Sequence, residues 1–173
     1  MNIGTPDATE FAPAFGRYVA RVADVADPRT ELLAQRSRLL GRLSSLSDEQ
    51  AHFRYAPDKW SIKELVGHLA DCERVFAYRL LTIARGDRTP LPGFDENDYA
   101  RAAHAHERPF TNLLHEWTVV RDGTVTLARG LAEADWRAQG TANDAPTSAR
   151  ALLYVILGHT EHHLNVLAER YKV

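Results

Sequence analysis

The stretch Gly158-His159-Thr160-Glu161-His162-His163-Leu164 carries three histidines in five residues, close to the C-terminal end of the sequence. His159 and His163 are four residues apart, inside a segment whose apolar residues recur with helical period. On a helix, residues four apart lie above one another on the same face, so both imidazoles can point at one metal ion. Two ligands do not complete a metal site, so a third must come from elsewhere in the chain.

Apolar residues recur with helical spacing in four long segments, and no segment predicts a strand. Ser61 with Glu64 forms a capping-box pattern at the start of the second segment, and Ser148 is a candidate cap for the fourth. Four amphipathic helices predict an all-α four-helix bundle. The predicted helices cover residues 28–46, 61–85, 110–131 and 148–171.

The connectors predict the domain organisation. Residues 86–109 are rich in Gly, Pro and Asp and are long enough to cross a bundle, which favours one long crossover between the second and third helices over simple hairpins. Residues 1–27 contain scattered aromatic residues and are expected to form an N-terminal arm that packs on the bundle. The bundle domain then covers residues 28–173.

The composition excludes several classes of protein. Of 173 residues, 45% are hydrophobic and 25% are charged, with a net charge of −2, which is typical of a globular protein without affinity for nucleic acid or an anionic membrane surface. No apolar run reaches membrane-spanning length, and the N-terminal residues do not resemble a signal peptide. The single cysteine, Cys72, cannot form an internal disulfide and fits a reducing compartment. We therefore expect a cytoplasmic protein.

His68, in the second predicted helix, is the candidate third ligand. It lies about 10 Å from the start of that helix, and His163 lies about 12 Å from the end of the fourth. If these two helices are antiparallel neighbours, His68 and His163 lie at the same height along the bundle, and three imidazoles meet near one of its ends. On a helical wheel, His159 and His163 share the inward stripe, whereas His162 lies about 60° to the other side. We expect His162 to support the ligands from outside or to face solvent.

Three neutral imidazoles suit a divalent transition metal such as Zn²⁺, Ni²⁺ or Fe²⁺. Three protein ligands leave a position for water or substrate, as in catalytic rather than structural sites. Such an ion can activate water or a thiol, or polarise a carbonyl. The chain does not indicate which of these it does.

Three further residues of the second helix have both a functional and a structural interpretation. Cys72 follows His68 by one turn and either reaches the metal or is a small core residue. Asp71 either orients an imidazole or is an ordinary exposed carboxylate. Arg79, three turns beyond His68 on nearly the same face, either binds an anionic group of a substrate or forms a salt bridge at the bundle edge.

Two motifs together resemble the DinB/YfiT-like superfamily. They are Lys59-Trp60-Ser61-Ile62-Lys63-Glu64-Leu65-Val66-Gly67-His68-Leu69-Ala70-Asp71 and Gly158-His159-Thr160-Glu161-His162-His163, and the intervening segment 88–95 also resembles one subfamily. The resemblance implies an up-down-down-up bundle and a divalent metal held by three histidines, which map onto His68, His159 and His163. Cys72 departs from the subfamily pattern, in which a small hydroxyl residue is common.

The resemblance also implies two activities, because the superfamily includes enzymes that use low-molecular-weight thiols and others assigned only as metal-dependent hydrolases. We expect an enzyme that activates water or such a thiol against a small-molecule substrate, and a homodimer. The alternative is a metal- or ligand-binding bundle of a stress response, without turnover. DNA binding is not supported, since no basic stripe or recognition helix is present.

Overall fold

Six helices and one short hairpin make up the protein in a computed structural model that describes residues 3–173. Four of the helices are long, and the last of these continues as a turn of π-helix over Leu167–Tyr171. Met1 and Asn2, the first residues of the expected arm, lie outside the described part. The helices are α1 (Gly16–Arg21), α2 (Pro28–Leu43), α3 (Ile62–Ala84), α4 (Glu96–Ala102), α5 (Phe110–Arg129) and α6 (Ala149–Val166).

The caps that the sequence predicts fix where α3 and α6 begin. The Ser61 hydroxyl accepts a hydrogen bond from the Glu64 amide at 3.2 Å, and the Glu64 carboxylate accepts one from the Ser61 amide at 2.6 Å. Ser148 accepts from the Ala151 amide at 3.1 Å. Each cap satisfies amides that the first helical turn leaves free.

Contacts at the helix ends establish the topology. The Tyr171 hydroxyl, beyond α6, donates to the Trp60 carbonyl before α3 at 2.5 Å, so α3 and α6 are antiparallel. Lys63 in α3 donates to the carbonyl of His106, just before α5, at 3.4 Å, so α3 and α5 start at the same end and are parallel. Arg42, in the last turn of α2, donates to the carbonyl of Val173, so α2 and α6 are parallel. The expected up-down-down-up bundle is confirmed.

The crossover between α3 and α5 returns the chain along the length of the bundle, as expected. It contains α4 and a 3-10 turn over Ala105–Glu107. Its first part is tied to the segment before α6, since the amide of Leu91 donates to the Thr141 carbonyl and the amide of Asn143 donates to the Leu91 carbonyl, both at 2.9 Å.

The prediction that the chain contains no strand is wrong. Strands β1 (Gln139–Ala142) and β2 (Ala145–Ser148) form an antiparallel hairpin before α6. The turn residues Asn143 and Asp144 have φ angles of 52° and 59°. Positive φ at both central residues is the requirement of the tight hairpin turn whose twist matches that of the strands, and Asn and Asp tolerate it.

The interior has two apolar clusters with a polar layer between them. One cluster includes Leu32 and Phe76, and the other includes Leu39 and Leu69. Between these pairs along α2 and α3 lie the buried Gln35 and Glu73. Arg121 of α5 is fully buried there and donates to the Glu73 carboxylate, to Gln35 and to the Thr160 hydroxyl of α6.

The N-terminal residues pack across α6. Tyr18 and Val19 in α1 are buried, and Gly158 of α6 lies directly under the Tyr18 backbone. A Cβ atom at position 158 would lie 2.1 Å from the Tyr18 carbonyl oxygen, so only glycine fits this contact. The arm is thereby held beside the histidines that follow Gly158.

No helix in residues 3–173 combines the length and the apolar character that crossing a bilayer requires.

Candidate metal centre

The antiparallel packing of α3 and α6 brings His68, His159 and His163 together. The Nε2 atoms of His68 and His159 are 3.0 Å apart, and those of His159 and His163 are 3.2 Å apart. His159 and His163 lie one turn apart on α6, and His68 lies in the second turn of α3 opposite them. Matching heights on antiparallel helices therefore produce the cluster, as the helix arithmetic requires.

Burial keeps the three rings neutral. It lowers the pKa of His68 from 6.5 to about 4, and it lowers the pKa values of His159 and His163 well below their ordinary value. The three side chains are 5%, 6% and 8% exposed, so a positive charge on any ring would be poorly solvated. Neutral imidazole keeps a lone pair, which is the form that binds a metal.

Two spacings between the ring nitrogens, His68 to His159 and His159 to His163, fit coordination of a shared metal ion. Two nitrogens bound to a tetrahedral Zn²⁺ at about 2.0–2.1 Å lie about 3.3 Å apart, close to the 3.0 Å and 3.2 Å between these Nε2 atoms. The far nitrogen of His163, Nδ1, is buried without a hydrogen-bond partner in the described part of the chain. The outer hydrogen bond that usually orients a ligand ring is therefore not provided to His163.

Cys72 lies against the His68 ring, with Sγ 3.5 Å from Nδ1 and 3.7 Å from Nε2. The ligand atoms of His68, Cys72 and His159 all lie within 4.8 Å of one another. These three residues form the compact donor set, and His163 joins it through His159, with the two Nε2 atoms 3.2 Å apart. Burial raises the pKa of the Cys72 thiol, so the apolar surroundings favour the protonated form.

A cavity of about 380 Å³ opens onto the cluster. All three histidines and Cys72 line it, so a small molecule can reach them. Aromatic side chains supply much of the remaining wall, and three of them contact the cluster directly. The Phe76 ring lies 5.8 Å from the His159 ring between centroids. The Trp60 ring lies 4.5 Å from the His68 ring and the Tyr18 ring lies 5.5 Å from the His159 ring, both between centroids.

The other residues singled out in the sequence lie in different places. His162 is half-buried, contacts the rings of Tyr18 and His163 and lines the cavity. Arg79 is 3% exposed and also lines the cavity. Asp71 is not brought to the cluster, since its carboxylate pairs with Arg74 at 3.2 Å.

Several cavity residues could not be identified from the sequence. Phe15 and Tyr18 belong to the arm, and Phe94 and Asn143 to connectors, so no helical period places them. One signal was available for the arm. A glycine inside an apolar helix lets another backbone approach closely, and Gly158 directly precedes His159.

Comparison with known proteins identifies the family. Residues 31–167 match the model of the DinB superfamily. The chain belongs to the DinB superfamily. Among curated relatives, it is 26% identical over 150 residues to a protein of Oceanobacillus iheyensis, covering 83% of each chain. It is 28% identical over 131 residues to one of Geobacillus kaustophilus, covering 73% of this chain and 72% of the other. Both relatives bear the name "Putative metal-dependent hydrolase".

Two solved structures share the fold. YfiT from Bacillus subtilis, a four-helix bundle of unusual topology, superposes with a TM-score of 0.74 at 17% identity over 99% of both chains. A mycothiol-dependent maleylpyruvate isomerase superposes with a TM-score of 0.68 at 13% identity, over 80% of this chain and 58% of that one. At these identities the likeness concerns the fold alone.

Proposed function

We propose that this protein is a metal-dependent enzyme that holds one divalent transition metal, such as Zn²⁺, Ni²⁺ or Fe²⁺, at His68, His159 and His163. The observation that carries the proposal is the convergence of three buried, neutral imidazoles, with Nε2 atoms 3.0 Å and 3.2 Å apart, on an open cavity. Bound there, the ion would supply the Lewis acidity that activates water or a thiol.

Hydrolysis of a small-molecule substrate is the reaction that we propose first. The names of the curated relatives support it. In this chain, the side chains around the cavity would bind the substrate, because aromatic side chains form much of its wall. Transfer of a low-molecular-weight thiol to an electrophile is the other activity that the same site would allow.

An activity comparison tests this proposal. Metal-loaded and chelator-treated protein are assayed on a panel of carboxylic esters, amides and phosphate esters, and in parallel for conjugation of a low-molecular-weight thiol to 1-chloro-2,4-dinitrobenzene. We expect metal-dependent turnover in one arm, lost by about 100-fold or more in His159→Ala. Exposed His104→Ala is the control. Metal-dependent turnover that His159→Ala leaves unchanged would place the chemistry elsewhere.

A binding bundle without turnover is the second candidate, and the position of Cys72 supports it. If Cys72 joins the three histidines as a fourth protein ligand, the site has no position left for a substrate. Cys72→Ser distinguishes the two functions. In the enzyme the variant keeps its metal and its activity, whereas in the binding bundle it weakens metal retention.

The remaining proposals concern partners and location. We propose a small-molecule substrate, which the volume of about 380 Å³ supports. A cytoplasmic location is supported by the single, buried Cys72. A homodimer stays a prediction from the family resemblance.

A further inference from the structure

Arg79 places a positive charge in the wall of the cavity. Its side chain is 3% exposed, and one guanidinium nitrogen donates to the Pro92 carbonyl at 2.6 Å. The guanidinium also lies over the Phe94 ring, 5.7 Å from its centroid. Within residues 3–173 no carboxylate forms a salt bridge with it, so the predicted salt bridge at the bundle edge is not present.

Arg121 shows how this fold treats a buried arginine that has only a structural role. That side chain is 0% exposed and donates two hydrogen bonds to the Glu73 carboxylate, at 2.8 Å and 3.1 Å. Burying a charge without a counter-ion is costly, and for Arg121 the cost is met inside the protein. For Arg79, no carboxylate of the described residues meets this cost. Burial lowers the pKa of Arg79, but the arginine still stays protonated.

The other charges around the cavity do not compensate Arg79. Arg17 lines the cavity as well and donates to the Tyr18 hydroxyl at 2.9 Å, without a salt bridge in the described part of the chain. Glu96 is the acidic residue among the lining side chains, and it is exposed to solvent. Because the histidines are neutral, two arginines face one carboxylate and the cavity carries a net positive charge.

The distance between Arg79 and the histidines sets the size of a ligand. Arg79 follows His68 by eleven residues, which is about 16 Å along α3 and within about 20° on the wheel. The side chains of Arg79 and His68 both lean back towards the N-terminus of α3, and the longer Arg79 side chain reaches further, so the guanidinium lies closer to the imidazoles than this rise. The aromatic rings of Phe15 and Phe76, in edge contact at 5.9 Å, line the space between.

We propose that Arg79 is the binding residue for a carboxylate of the substrate or co-substrate, whose reacting group lies further along the cavity at the histidine cluster. The ligand is a small organic acid with an apolar middle. This inference rests on the proposed function for the role of the histidines. The preference for a carboxylate over a neutral group depends on Arg79 and does not require the metal.

Two probes with the same skeleton test the proposal. The dissociation constants of 5-mercaptopentanoate and 5-mercaptopentan-1-ol are measured by calorimetry at neutral pH, with metal-loaded and with metal-stripped protein. A charge-assisted contact in a buried site predicts that the carboxylate binds about 10- to 100-fold more tightly than the alcohol. In Arg79→Gln this ratio falls to about one while the affinity of the alcohol is unchanged, and Arg79→Lys keeps a preference for the carboxylate.

Matched controls separate this contact from a structural effect. Arg85→Gln removes an exposed arginine of the same helix end, outside the cavity, and keeps the wild-type ratio. If Arg79 only holds Pro92, its loss weakens both probes equally, which overturns the proposal. A wild-type ratio near one also overturns it. Metal content, measured separately, reports on the proposed function. A protein that takes up no metal on loading but still prefers the carboxylate contradicts that function and not the role of Arg79.

Discussion

The buried Glu73–Arg121 pair offers a prediction whose size follows from the structure. Both side chains are almost fully buried, at 3% and 0% exposure, and the pair joins α3 to α5 in the polar layer of the bundle. Glu73→Leu would leave the Arg121 charge buried, with only the oxygens of Thr160, Gln35 and Leu32 as acceptors. We expect a loss of about 3–5 kcal/mol in the free energy of unfolding, the usual effect of removing one partner of a buried ion pair.

The double variant Glu73→Leu/Arg121→Met should lose far less. Two apolar side chains of similar volume replace the pair, a change that is often neutral or stabilising. The remaining cost comes from Gln35, whose side-chain oxygen accepts from Arg121 at 3.3 Å and would lose that partner. An unsatisfied buried acceptor costs about 1–3 kcal/mol. The double variant is therefore predicted to be more stable than Glu73→Leu alone.

Urea denaturation followed by circular dichroism measures these differences, with the linear extrapolation applied to each variant. The four proteins form a double-mutant cycle, and we expect a coupling energy of at least about 3 kcal/mol. Arg36→Met, which removes a half-exposed ion pair with Asp122, is the control and should cost less than about 1 kcal/mol. If the losses of the two single variants simply add in the double variant, the charges of Glu73 and Arg121 do not compensate each other as described.

Two further predictions concern α6 and the histidines. Gly158→Ala should destabilise the protein by about 1–3 kcal/mol or more in urea denaturation, because the new methyl group would overlap the Tyr18 backbone. In the control Gly123→Ala, the new methyl group meets nothing within 4 Å, so this change should stabilise the protein by up to about 1 kcal/mol. Equal effects of the two changes would argue against the packing of the arm. Burial lowers the pKa of His68 from 6.5 to about 4, so between these pH values the unfolded chain binds more protons than the folded protein. The free energy of unfolding of the metal-free protein should therefore fall by about 2 kcal/mol, through His68 alone, as the pH is lowered from about 7.5 to about 5. His68→Asn should reduce this dependence by about that amount, while buried His159 and His163 still contribute, and an unchanged slope would contradict the burial of a neutral His68 ring.

The features of the fold that depend on neighbouring residues in the sequence could be predicted. Ser61 and Glu64 mark the start of α3 because a capping box needs only four consecutive residues. The equal heights of His68 and His163 followed from the helix rise, on the condition that their two helices are antiparallel neighbours. The long crossover over residues 86–109 followed from its length alone.

The hairpin and the arm could not be derived in the same way. Strands of four residues carry too little alternation to distinguish them from a loop, and β1 is held by Leu91 from a distant connector. The turn is formed by Asn143-Asp144 rather than the commoner Asn-Gly, which weakens the local signal. Tyr18 reaches His159 only because of where the arm crosses α6, and no periodicity in residues 1–27 specifies that path.

Arg79 and Asp71 show why side-chain environments were harder to predict than helices. A wheel places Arg79 on the face of His68, but whether a carboxylate meets it depends on residues 92–96 of the crossover. Asp71 turns towards Arg74 because that partner lies one turn away on the same helix. The partner that each of these side chains contacts depends on how the surrounding residues pack, which the order of the sequence does not show.

Metal content is the measurement that tests the central claim most directly. Untagged protein is incubated in turn with Zn²⁺, Ni²⁺ and Fe²⁺, desalted and analysed by elemental mass spectrometry. The same measurement is made on the variants His68→Ala, His159→Ala, His163→Ala and Cys72→Ser. We predict about one ion per chain in the wild type and in Cys72→Ser, and a loss in each histidine variant with the helical circular dichroism signal retained. Wild-type protein that retains none of the three metals, or histidine variants that retain it fully, would contradict the three-histidine metal centre.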